Sequence, residues 1–126
     1  MDAELVVQQF CAAVSRRDLA ELMAFFREDA VYHNMPMAPV QGREAIAATL
    51  EQFVGPATFA EFEVLALVSK GNLVLTERVD RFEIFGNRIE LPVMGAFDIA
   101  DDGRIRAWRD YFDMQQFMRQ LQPSQT

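Results

Sequence analysis

The stretch NLVLTERVDRFEIFGN, residues 72–87, alternates side-chain types between two turn signals, Lys70-Gly71-Asn72 before it and Gly86-Asn87 at its end. A period of two belongs to a β-strand, in which one parity faces a core and the other faces away. Val74, Thr76, Arg78, Asp80, Phe82 and Ile84 form the parity that reads as the core face, while Glu77, Arg81 and Glu83 lie on the other. The same period extends on both sides and predicts strands at about 58–68, 72–85, 88–99 and 104–112. Short turns, including Asp101-Asp102-Gly103, link these long strands, so the second half of the chain reads as an antiparallel meander.

Toward the N-terminus the period changes to that of helices. Leu5, Val6, Gln9, Phe10, Ala13 and Val14 recur at three- and four-residue intervals after Asp2, which predicts an amphipathic helix ending near Ser15. Asp18 and Glu21 have capping-box spacing and open a second helix, carrying Leu19, Leu22, Met23 and Phe26, that should stop near Arg27. Ala30 to Asn34 is short and extended, and the prolines of Met35-Pro36-Met37-Ala38-Pro39 keep that segment a loop. Gly42 precedes a third helix with Ile46, Leu50 and Phe53, ended by Gly55-Pro56. Asp113 and Gln116 cap a short final helix containing Phe117 and Leu121, and a polar tail from Gln122 is expected to fray. Helices followed by a curled antiparallel sheet make an α+β arrangement, and the 126 residues suit one domain, 1–126.

Composition narrows the function. Hydrophobic residues are 51% and charged residues 25%, the balance of a folded globular chain. Nineteen acids against twelve bases give a net charge of -7, a field that repels phosphate backbones and anionic lipid, so neither nucleic acid nor a membrane surface is an expected partner. No basic segment followed by an apolar run opens the chain, and no stretch approaches the roughly 20 apolar residues of a membrane span. The expected location is the cytoplasm. The lone Cys11 falls in the apolar row of the first helix and reads as core.

The chemistry is suggested by charges on the wrong face. Arg78 and Asp80 sit two residues apart on the apolar parity of their strand, and an unpaired charge taken out of water costs several kcal/mol. Either the two form a buried ion pair, or a bulge turns them to solvent, or they stand at the bottom of an apolar pocket as a polar constellation. The last strand repeats the anomaly, with Arg106, Trp108, Asp110 and Phe112 on one parity and a carboxylate between aromatic rings. Should Asp110 meet Arg78 across the sheet, one cation would serve two carboxyls, and a low-dielectric site would favour keeping one of them protonated. A neutral Asp can protonate a leaving oxygen while its ionised partner takes a proton from water. Tyr32 and Asn34, on one face of the segment before the Met-Pro loop, offer a phenol and an amide that could fix that water.

In order and approximate spacing, Tyr32-His33-Asn34-Met35-Pro36, Thr76-Glu77-Arg78-Val79-Asp80 and Trp108-Arg109-Asp110-Tyr111-Phe112-Asp113 resemble the signatures of limonene-1,2-epoxide hydrolases. The resemblance implies the cone-shaped, nuclear-transport-factor-2-like (SnoaL-like) α+β fold, with N-terminal helices packed on a curved, mainly antiparallel mixed sheet that encloses an apolar pocket. By position it implies Asp110 as general base on a water held by Tyr32 and Asn34, Asp80 as general acid toward the epoxide oxygen, and Arg78 as the bridge. It further implies one-step hydrolysis of a small or medium apolar epoxide, of limonene oxide or cyclohexene oxide type, to a vicinal diol without metal or organic cofactor. Trp108, Phe82, Phe112 and Phe117 would line the pocket, with Met35 and Met37 near its mouth. The short segment before the first helix suggests a pocket more open than in some relatives. A homodimer through the exposed sheet face is also implied, with Leu91, Val93 and Phe97 on one parity and Glu90, Met94 and Asp98 on the other as candidates.

Other residues are set aside. His33, the only histidine, has the opposite parity to Tyr32 and Asn34 and gives no metal-ligand spacing. Lys70, the only lysine, lies in a turn, and no nucleophile elbow or phosphate loop is present. Two rivals remain: an isomerase or cyclase of the same fold, using one Asp as a proton shuttle, and a non-catalytic ligand-binding dimeric module.

Overall fold

The computed structural model describes residues 2–121, and the tail from Gln122 lies outside the described residues. Helix α1 covers Ala3–Ala13 and runs into a 3-10 turn, Val14–Arg16; α2 covers Leu19–Met23. Strands β1, Phe26–Asn34, and β2, Val40–Gln41, precede α3, Arg43–Val54. Then come β3, Ala57–Lys70, β4, Leu73–Ile84, β5, Asn87–Ile99, and β6, Ile105–Tyr111, followed by α4, Met114–Leu121. One six-stranded sheet results, in the order β2-β1-β6-β5-β4-β3. β3 to β6 form the expected antiparallel meander, and β1 adds to it parallel to β6, which makes the sheet mixed.

Local chemistry places the helix starts. The Asp2 carboxylate accepts from the Leu5 N–H at 3.3 Å and that of Asp18 from Glu21 N–H at 3.2 Å, each satisfying an otherwise orphaned helix donor. Asp113 does the same for α4, accepting from Gln115 N–H at 2.9 Å. Tertiary pairing sets where α2 stops. The apolar stripe that predicts a helix to Arg27 breaks at Met23, because Phe26 pairs with Ile105 and the Phe25 carbonyl accepts from Ile105 N–H at 2.7 Å. The extended segment therefore begins at Phe26 instead of Ala30.

Bulges curve the sheet. The register of β3 slips twice, between Ala57 and Phe59 and between Val64 and Ala66, and extra residues of this kind bend a strand and raise its twist. On β6, Asp98 pairs with Ala107 and Ile99 with Ile105, which leaves Arg106 as the extra residue. Parity changes there. Arg106 is exposed while Ile105 and Trp108 are buried, so Arg106 does not share the face of Trp108 as simple alternation predicts.

The concave face receives α1 and α3. Phe10 is the hub of the larger core, its ring edge-on to Phe25, Phe26 and Trp108 at centroid distances of 5.5, 5.4 and 5.1 Å. A second cluster of Ile84, Ile89, Leu91 and Val93 packs under Phe112 and Phe117. Leu91, Val93 and Phe97 thus point inward, which corrects their candidacy for an exposed interface; Leu75, Met94 and Tyr111 are exposed on the opposite side of the sheet. Cys11 is buried in the larger core, where burial pushes its thiol up to about 12. Among the described residues no helix is long and apolar enough to cross a membrane. Truncating Phe10→Ala removes the shared ring and is expected to cost about 3–5 kcal/mol, read as a lowered midpoint in urea unfolding.

Candidate active site

The unbroken register of β4 against β5 turns Thr76, Arg78 and Asp80 into the concave face together with Val74 and Ile84. The bulge reading is therefore removed, and the charges are buried. Arg78 is 1% exposed, Asp110 3% and Asp80 5%. The Arg78 guanidinium grips Asp80 with two donors, Nε to Oδ1 at 3.0 Å and Nη2 to Oδ2 at 2.9 Å. The same Nη2 reaches across β5 to Asp110 Oδ2 at 2.8 Å. Its other arm, Nη1, donates to Thr76 Oγ1 at 3.1 Å, and the ring of Phe62 lies under the guanidinium carbon at 4.6 Å.

The parallel pairing of β1 with β6 completes the group, because it sets Tyr32 beside Trp108 and Asn34 beside Asp110. Tyr32 stacks on the Trp108 indole at 4.1 Å and donates its hydroxyl proton to Asn34 Oδ1 at 3.0 Å. The indole N–H of Trp108 donates to Asp110 Oδ1 at 2.7 Å. Asp110 is thus held at one oxygen by an indole and at the other by a guanidinium, and each oxygen keeps capacity to accept a further proton donor. His33 turns the other way and shares a hydrogen bond with the Met37 carbonyl at 2.9 Å.

Burial acts on the ionisable groups of the site. Burial pushes Asp80 up to about 6, against the pull of Arg78 and with the charge of Asp110 adding to the rise. Burial opposes the charge on Arg78, yet Asp110 and Asp80 outweigh it and keep the guanidinium ionised. Burial, joined by the nearby Asp110, holds the Tyr32 phenol well above its ordinary range, so it remains an O–H group. One cation between two acids leaves a surplus negative charge unless one acid is protonated, and burial raises Asp80 toward its protonated form.

Around these groups is an apolar cavity that opens to solvent. Trp108, Phe82, Phe112 and Phe117 line it, as do Phe53 and Phe62 from α3 and β3. Met35 lines neither this cavity nor the groove beyond it; its N–H donates to the Asp110 carbonyl, and Met37 occupies the rim. Among the described residues no trio of His, Cys, Asp or Glu is placed to hold a metal ion.

Comparison with known proteins fits this geometry. A family model described as the limonene-1,2-epoxide hydrolase catalytic domain matches residues 1–123. The chain belongs to the limonene-1,2-epoxide hydrolase family. It is 34% identical over 115 residues to the epoxide hydrolase EphG of Mycobacterium tuberculosis, a match covering 91% of this chain and 76% of that protein. A solved structure of an M. tuberculosis epoxide hydrolase like those of limonene oxide superposes with a TM-score of 0.82 at 32% identity, over 94% of this chain and 88% of that one. An NTF2-like protein of Cytophaga hutchinsonii shares the fold alone, with a TM-score of 0.73 at 17% identity over 91% and 93% of the two chains.

Two residues at the heart of the site, Thr76 and Gly95, carry no sequence signal that assigns them a role there. Thr76 has the parity of Arg78 but carries no charge to single it out. Gly95 pairs with Thr76 on one side and Asp110 on the other, and a Cβ there would stand 2.2 Å from Arg78 Nη1 and 2.8 Å from Asp110 Oδ1. A glycine inside a strand is the available signal, since it marks close approach of another group. Gly95→Ala is expected to force the guanidinium off Asp110 and to destabilise the fold by about 1–3 kcal/mol, measured by denaturant unfolding, with Ala96→Gly as a control lacking that clash.

Proposed function

We propose that this chain, acting as a single domain, hydrolyses an apolar epoxide to a vicinal diol in one step. The reading rests above all on one observation: a single guanidinium nitrogen spans two buried carboxylates, 2.9 Å from Asp80 and 2.8 Å from Asp110, at the wall of an apolar cavity. In this reading Asp110 is the base. A water donates one hydrogen to Asp110 and the other to the Tyr32 oxygen, whose own proton is committed to Asn34, while the Asn34 amide N–H holds the water oxygen.

The steps balance. The water oxygen forms a bond to one oxirane carbon as Asp110 takes its proton, and the carbon–oxygen bond breaks as Asp80 delivers a proton to the leaving oxygen. Asp110 ends protonated and Asp80 ionised, both still on Arg78, and one proton returned through solvent restores the start. Arg78 keeps its charge throughout and screens whichever carboxyl is ionised. Ring strain in the oxirane and an environment that separates the two acids supply what a metal would otherwise provide, so turnover is expected to survive chelation.

The apolar lining favours an uncharged hydrocarbon epoxide of limonene oxide or cyclohexene oxide type, whose transfer from water supplies binding without further ion pairs. A homodimer through the outer face that carries Leu75, Met94 and Tyr111 is part of this reading, as is a cytoplasmic location. Sedimentation velocity on the purified protein distinguishes a dimer from a monomer directly.

Asp80→Asn and Asp110→Asn should each lower kcat by about 10²–10⁴-fold with the far-UV spectrum retained, measured as diol formed from cyclohexene oxide in chelating buffer. Near-native turnover in either variant contradicts the assigned roles. The pH profile follows from the raised Asp80. Its acid form is the reactive one, so wild-type kcat/KM should fall about tenfold per pH unit above about 6, measured as diol formation across a pH series.

A further inference from the structure

The cavity opens outward past the carboxyls. A groove of about 1110 Å³ of open space adjoins it, and the two share Tyr32, Asn34, Phe53 and Phe117 as a common wall. Beyond that wall the groove is lined by Met37, Ile84, Phe85, Met118 and Leu121. Phe85 is 83% exposed, Met118 48% and Met37 39%, so three of the large exposed apolar side chains meet at this one mouth. Gathered apolar surface of this kind is costly to leave wet and marks a place where a ligand is held.

Turn chemistry does not account for Phe85. It occupies the first central position of the β4–β5 hairpin turn with φ 52, a left-handed backbone for which Asn, Asp or Gly is the ordinary choice. A bulky aromatic held there, nearly fully in solvent and beside the cavity mouth, is strained backbone at a binding edge. Charge narrows the ligand. Among the described residues none of those lining the groove is ionisable to a cation or carboxylate; the Thr49 hydroxyl donates to the Ala45 carbonyl at 3.0 Å, and the neutral Gln52 amide is the polar group of α3 that lines the groove beside it.

We infer that the groove is a second binding compartment of the site, one that takes an uncharged hydrocarbon tail on the epoxide. The oxirane lies against Asp80 and Asp110 in the inner cavity, and the tail passes Phe53 and Phe117 to rest along Met37, Phe85 and Met118. The inference rests on the hydrolase reading above and names its substrate class as epoxides that carry a flexible alkyl chain. Unbranched methionines on the rim suit chains of differing length, because they repack around irregular apolar shapes.

The test is a homologous series from 1,2-epoxybutane to 1,2-epoxydecane, assayed for kcat/KM, with calorimetric binding of the corresponding 1,2-diols. A Phe85→Asn/Met118→Gln double variant is compared with the wild type; Asn suits the left-handed turn and Gln suits the helix, so the fold is kept. For the wild type both readouts should rise by up to about fourfold per methylene as the chain enters the groove, then level off. In the double variant the ten-carbon to four-carbon ratio should fall about tenfold. Diol affinity that does not change with chain length, or a ratio unmoved in the double variant, overturns the tail compartment. Length-dependent diol binding with no turnover of any epoxide supports the compartment and overturns the hydrolase reading instead.

Discussion

A guanidinium withdrawn from water and shared by two carboxylates is the constraint around which this protein is built. Desolvating three ionisable groups costs several kcal/mol for each ion, and that cost is recovered only if every donor finds an acceptor at good geometry. Arg78 meets the condition with Asp80 on its own strand, Asp110 two strands away, Thr76 behind it and the Phe62 ring beneath. Such a network is expensive to distort. It requires an intervening strand that comes close without side-chain bulk, which is the part played by Gly95.

The sheet topology turns this network into a site. An antiparallel meander alone would deliver Arg78, Asp80 and Asp110, but not the phenol and amide beside them. The parallel insertion of β1 next to β6 brings Tyr32 and Asn34 level with Trp108 and Asp110, and the aromatic stack of Tyr32 on Trp108 fixes that level. The two acids then stand in unlike surroundings. Asp110 accepts from an indole N–H and one guanidinium N–H, whereas Asp80 accepts from two guanidinium N–H groups and burial pushes it up to about 6. Differences of this kind let neighbouring carboxyls take opposite parts in proton transfer at one pH.

Much of this was readable along the chain. Strict alternation in residues 72–87 exposes the misplaced Arg78 and Asp80, and the turn signals around it separate the strands of the meander. Asp2, Asp18 and Asp113 announce helix starts because capping is a contact within one turn. Legibility fails where a distant strand overrides the local pattern. The stripe through Phe26 reads as helix, yet pairing with Ile105 makes it strand; the parity that joins Arg106 to Trp108 is broken by a bulge that no local residue announces. Met35 and Met37 look equivalent on a loop, and only the fold directs the second of them to the cavity rim.

By itself, then, the sequence determined most of the element types, the meander and the presence of charges on an apolar face, because periodicity, turns and caps act over a few residues. Tertiary structure decided which carboxyl meets which donor, that burial raises Asp80, that a glycine must face the guanidinium and that the cavity opens onto an apolar groove. Those properties depend on strand register and burial, and both arise from pairings between residues far apart in the chain.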